Sequence, residues 1–183
     1  TGISIMKINE KLDSGPVCNS YTIKILENEN SEDLSLRLSN LAAEKILNNI
    51  DNIFNNKAKF QEQSDFDATY AKKIDKWEGN INWDENAIKI IGKINGLYPV
   101  PGAWFLFNGE RYKIIKAEVS NAKGNPGIVL NEHLEIACGE NSIKILEIQR
   151  QGKRIQKINE FMLGTKIKKG INLKLSAADS RSS

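Results

Sequence analysis

The sequence predicts an α+β protein in which two strands and a long helix precede a small β-barrel. Three observations carry this. Apolar residues alternate near the start of the chain, take a helical spacing over residues 31–54, and return to alternation after Pro101. The polar stretch NNKAKFQEQSDFD, from Asn55 to Asp67, has no periodicity and predicts a linker. Beyond it, short apolar runs recur between polar or Gly-containing turns at the spacing of a small barrel.

The first strand is predicted over Ile3–Ile8, and it ends in the turn formers Asp13, Ser14, Gly15 and Pro16. A strand this close to a start without methionine reads as the middle of a domain whose beginning lies upstream. A second strand follows from Val17 to Leu26, rich in strand formers such as Tyr21, Ile23 and Ile25. Ser31, Glu32 and Asp33 then supply a hydroxyl cap and two acids for the positive end of a helix dipole. That helix runs to Phe54, and Leu34, Leu38, Leu41, Ala42, Ile46, Ile50, Ile53 and Phe54 predict one broad buried face.

After the linker, ATYAKKIDKWEGNINW predicts a short helix and an extended piece. Asp84 is the expected cap of an amphipathic helix over Glu85–Tyr98, stopped by Pro99 and Pro101. Gly96 inside it suggests close packing or an early end. Ala103–Phe107, the pair Asn108 and Gly109, and Arg111–Val119 predict a β-hairpin. Trp104 is expected to anchor the barrel core. Further strands are predicted over Gly127–Leu130, Leu134–Cys138 and Ile143–Gln149, then a helical turn at Asn159–Leu163 and a disordered SAADSRSS. The expected division is 1–56, linker 57–66, barrel 67–175 and tail 176–183.

A chain of 183 residues, 40% hydrophobic, holds one ordinary domain or a small domain with part of another. Its net charge of +3 is unevenly spread. Between Ile143 and Lys174 the bases Lys144, Arg150, Lys153, Arg154, Lys157, Lys166, Lys168, Lys169 and Lys174 face only Glu147 and Glu160. An anionic partner is expected there. Cys18 and Cys138 lie far apart in apolar runs and read as reduced and buried. With His133 the sole histidine, in a turn beside Asn131, the sequence assembles no metal site and no nucleophilic triad. No apolar run reaches membrane-spanning length and no signal segment opens the chain, so a cytoplasmic protein is expected.

Four segments, in order, carry a resemblance: ISIMKINEKLDSGPV, INWDENAIKIIGKINGLYPVPGAW, IACGENSIKILEIQRQGK and FMLGTKIKKG. Together they resemble the C-terminal two thirds of the methionyl-tRNA formyltransferase family, over about residues 1–173. The resemblance implies that residues 1–56 are the end of a Rossmann-like catalytic domain, and that 67–175 form an OB-like tRNA-binding barrel. It implies 10-formyltetrahydrofolate as co-substrate of the intact enzyme, initiator methionyl-tRNA as partner, and a monomer. The family's catalytic Asn and His fall upstream, and its catalytic Asp is expected a few residues before Thr1. No catalytic residue is therefore assigned here, and the 183 residues are expected to be inactive alone. The family often has Trp and Arg where this chain has Val100 and Asn95.

Asp13, Ser14, Gly15 and Pro16 read first as a plain turn, while the resemblance puts Asp13 and Gly15 in a loop bordering the active cleft. The residues expected to hold tRNA phosphates are Lys72, Lys73, Lys76, Lys144, Arg150, Lys153, Arg154, Lys166, Lys168 and Lys169. Of these, Lys153 and Arg154 match a Gly-Lys-Lys segment of the family. Two alternatives stay open: a formyltransferase acting on an amino sugar nucleotide, and a non-catalytic RNA-binding barrel.

Overall fold

The computed structural model describes residues 1–64, 66 and 68–174. These form two compact units, one over residues 1–73 and one beginning at Ile74. The predicted tail 176–183 lies outside the described residues.

In the first unit, β1 (Gly2–Met6) and β2 (Val17–Thr22) pair antiparallel, with Ser4 opposite Ser20. Both strands are shorter than their apolar runs, and Ile8, Ile25 and Leu26 are exposed. The intervening loop turns on Asp13 at φ 54°. Gly15 is required there, since a Cβ would stand 1.7 Å from the Lys7 carbonyl oxygen. Residues beyond Asn55 do not run free: Val17 and Gln61 exchange two backbone hydrogen bonds of 2.8 and 2.9 Å. The Gln63 amide also donates to the carbonyls of Asp13 and Gly15.

Helix α1 spans Ser31–Phe54, but its cap is Asn30, whose side chain accepts from the amides of Glu32 and Asp33. The broad buried face is absent. No residue of α1 is buried; Leu34, Leu38, Leu41 and Ala42 are half-covered, whereas Leu47 and Phe54 are exposed. The amphipathic pattern exists, but two short strands cannot cover the stripe of a 24-residue helix.

The second unit opens with a single 3-10 turn, Lys76–Gly79, where a short helix is expected. Helix α2 spans Ala87–Leu97 and is capped by Asn86, which accepts from the Lys89 amide at 2.8 Å. Asp84 instead pairs with Lys174 at 2.6 Å. Ala87, Ile90, Ile91 and Ile94 are buried, while nothing lies within 4 Å of a Cβ built on Gly96, so that glycine marks no close packing.

The strands are β3 (Ala103–Phe107), β4 (Glu110–Ser120), β5 (Glu135–Ala137), β6 (Ser142–Arg150) and β7 (Ile155–Lys157), and α3 (Ile158–Gly164) follows. All pairs are antiparallel, in the order β3-β4-β6-β5, with β7 on the other half of β6. The barrel is therefore not closed, because β3 and β5 never pair. Each outer edge is instead met by irregular chain: Ile81 donates to the Trp104 carbonyl, and Val129 bridges Ile136. Residues 127–130 make only isolated bridges, since Gly127 at φ 87° bends the run before a ladder can start. The core gathers Trp83, Phe105, Ile114, Leu134, Ile136, Ile143, Ile145, Ile148 and Ile167.

Trp104 is not in that core. It is 1% exposed, yet it projects from the other face of β3, between Trp77 and Arg111. Trp83 fills the central place, edge-on to Phe105 at 5.9 Å. Both cysteines are free; Cys138 is buried, and Cys18 is half-buried and donates to the Asn19 side chain.

Candidate nucleic-acid interface

The outstanding concave feature of the second unit is an open groove of about 520 Å³, built where β3, β4, β6, β7 and α3 converge. Its floor is aromatic. Phe107 and Tyr112 point inward from paired strands, and Phe161 of α3 meets the Tyr112 ring edge-on at 5.8 Å. Its rim is cationic, with Arg150 at the end of β6, Lys153 and Arg154 in the β6–β7 turn, and Lys166 after α3.

Local structure fixes these cations. The Lys153 amide donates to the Arg150 carbonyl at 2.9 Å and Gly152 takes φ 72°, a tight turn that throws Lys153 and Arg154 into solvent. Ile167, fully buried, and the Thr165 hydroxyl, which accepts from the Ile167 amide, anchor the segment carrying Lys166. Arg150 is different, because its guanidinium is held by the Glu110 carboxylate, which also accepts from the Tyr112 hydroxyl at 3.0 Å. The Arg150 contact, then the Tyr112 bond, keep Glu110 below the usual carboxylate range. Burial, and then the bond to Glu110, push the Tyr112 phenol up. Among the described residues, Lys153, Arg154 and Lys166 form no ion pair. They are the groove's unpaired cations, with the Glu160 carboxylate beside them on the same lining.

The remaining predicted cations lie elsewhere. Lys144 is exposed in the half of β6 away from the groove, opposite Glu118 and Glu135. Its charge helps ionise Glu135, whose burial opposes ionisation but is outweighed by hydrogen bonds from Ser120, Ser142 and Asn131. Lys168 and Lys169 are exposed before a turn, where Gly170 donates to the Val129 carbonyl. Lys72 and Lys73 close the first unit and Lys76 begins the 3-10 turn of the second, all three exposed. Asp13 and Gly15 sit in the β1–β2 loop of the first unit.

Sequence reasoning from charge missed the aromatic floor and the polar lining of Asn108, Gln156 and Thr165. The available signal was the alternation that puts Phe105, Phe107 and Tyr112 on one face. His133 is exposed in its turn, with its amide donating to the Asn131 side chain. Among the described residues, no group of three or more His, Cys, Asp or Glu could hold a metal ion, and no helix is long and apolar enough to cross a membrane.

The sequence profile for the C-terminal domain of formyl transferases matches residues 73–166, which include the whole five-stranded sheet and every residue that lines the groove. The chain belongs to that family. The match covers Arg150, Lys153, Arg154 and Lys166, so the cationic groove is a feature of a formyl transferase C-terminal domain. The chain is 61% identical over 171 residues to a methionyl-tRNA formyltransferase of Pelagibacter ubique, covering 93% of this chain and 55% of that protein. It thus spans about half the length of the curated relatives it matches.

Solved structures share the fold at low identity. A variant of HypX from Aquifex aeolicus superposes with a TM-score of 0.70 at 19% identity, over 90% of this chain and 31% of that one. WlaRD, a sugar 3N-formyl transferase crystallised with dTDP and 5-N-formyl-THF, gives 0.61 at 21%, over 84% of this chain and 56% of its own.

Proposed function

We propose that this chain is the C-terminal portion of a methionyl-tRNA formyltransferase, and that its second unit holds the initiator methionyl-tRNA while formyl transfer from 10-formyltetrahydrofolate takes place in a catalytic domain upstream. The observation that carries the reading is the free cationic rim of Lys153, Arg154 and Lys166 within the family-matching domain. Such charges neutralise phosphates and displace counterions without reading bases. The 61% identity to a methionyl-tRNA formyltransferase, against 21% to the sugar enzyme, favours tRNA over a sugar nucleotide.

The first unit fits the remnant of a Rossmann-like domain, with the Asp13 and Gly15 loop at the edge of its cleft. Its helix displays Leu47 and Phe54 to solvent, as an element does when the sheet that covers it is larger than the two strands present. No residue among the 183 is assigned to the folate or to the base. Positioning an amine against the formyl carbon is worth about 7 to 11 kcal/mol of barrier, and that share belongs to the missing pocket. On this reading the 183 residues act as a tRNA-binding module, in the cytoplasm and as a monomer, with no formyl transfer of their own.

The test is tRNA binding by Lys153→Glu/Arg154→Glu beside a Lys89→Glu control on the exposed side of α2. The double variant should lose at least tenfold in affinity at low salt and the control should not. Equal affinity of all three proteins contradicts the assignment, as does formyl transfer by this chain free of intact enzyme.

A further inference from the structure

A second surface of the same unit is built on the outer face of the β3–β4 hairpin, away from the groove floor. Trp77 is 69% exposed, and its ring lies 5.7 Å from that of Trp104. Arg111 covers the Trp104 ring with its guanidinium carbon 4.2 Å from the centroid. The Arg111 Nε is buried and has no hydrogen-bond partner. The two rings are tilted by 57° to one another, so Trp104 is a covered support and Trp77 is the accessible member of the pair.

The support is rigid. Trp104 Nε1 donates to the Lys76 carbonyl at 3.1 Å and the Ile81 amide donates to the Trp104 carbonyl at 2.9 Å, which ties both ends of the 3-10 turn to β3. Gly79 lets the turn lie flat on the strand, since a Cβ there would come within 2.3 Å of the Gly102 carbonyl oxygen. A ring already fixed in place loses little freedom when a partner stacks on it.

The charge around the ring is positive. Lys76 neighbours Trp77, Lys113 is the register partner of Trp104, and Lys93 reaches the Asn80 carbonyl at the turn's end. Against these and Arg111 stand two carboxylates, Asp75 and Glu78, the latter accepting from the Asp75 amide at 2.7 Å. An exposed aromatic with cations beside it suits an anionic polymer that has free π-faces.

Resting on the tRNA-holding role proposed above, we propose that Trp77, backed by Trp104 and Arg111, is a stacking platform for an unpaired base of RNA. The double-helical part of the RNA would meet the cationic groove, and the platform would take a single-stranded base.

Fluorescence of the full chain tests this, because Trp83 and Trp104 are buried and quenching by RNA reports on Trp77. The probes are a short single-stranded RNA and a blunt duplex carrying the same number of phosphates. The single strand should quench the emission, and Trp77→Ala should weaken its binding by about tenfold with no change in salt slope or in duplex affinity. Trp77→Phe, which keeps a stacking face, should recover most of the loss. If the wild type binds both RNAs in a salt-dependent way but its emission is unmoved and Trp77→Ala binds equally well, the platform is wrong and the groove stands. If the wild type binds neither RNA, both fail.

Discussion

At the scale of single residues, environment separates groups that are identical in the sequence. Cys18 and Cys138 are both free, but burial pushes the Cys138 thiol up to about 11. In the folded protein at pH 8, a thiol reagent should titrate Cys18 and spare Cys138 until denaturant is added. Two rapid equivalents would contradict the buried placement. Glu135 is a carboxylate that folding holds below its ordinary value despite burial, through Ser120, Ser142 and Asn131. Because its folded pKa is depressed, its contribution is present above the unfolded value and is lost as pH falls through the folded one. Glu135→Gln keeps one acceptor for Asn131 but sets an NH2 against the Ser142 hydroxyl, and should cost about 1–3 kcal/mol at neutral pH, with a flatter acid limb in pH-dependent denaturation. Trp104 was legible as a buried aromatic but not as to its face, because alternation alone does not say which side of a sheet meets the core.

Among the elements, periodicity fixed the helices better than the strands. The bounds of α1 match the predicted span, since a long 3.6-residue pattern has few competitors. Its burial was not legible, because that depends on what other elements are present to cover it. The cap of α2 illustrates a readable signal passed over. The apolar spacing Ala87, Ile90, Ile91, Ile94 starts at Ala87, so Asn86 immediately before it is the better cap than Asp84. Residues 127–130 and β7 mark the opposite limit: Ile128 bridges Asn172 far along the chain, and β7 has only three residues to signal its hairpin with β6. Gly92 and Gly96 are exposed in α2, and a Cβ on either meets nothing within 4 Å. Gly92→Ala should therefore stabilise the protein by about 0.5–1 kcal/mol, visible as a raised denaturation midpoint. A lowered midpoint would show that Gly92 does not occupy an open position within α2.

For the whole molecule, the clustering of bases after Ile143 was visible in the sequence, but its partition was not. The fold gathers Arg150, Lys153, Arg154 and Lys166 around one groove, ties Arg150 to Glu110, and sets Lys144 among acids. Three free cations on an aromatic-floored groove are a smaller and more specific surface than ten basic residues in a list. We propose that this surface binds tRNA through its phosphates. The most direct measurement is the affinity of the 183-residue chain for initiator tRNA as a function of salt. With Lys153, Arg154 and Lys166 each contributing about −0.9, log K should fall linearly with log salt with a slope of about −3, and Lys153→Glu/Arg154→Glu should bring it to about −1. A slope near zero in the wild type, or one that the double variant leaves unchanged, would contradict it.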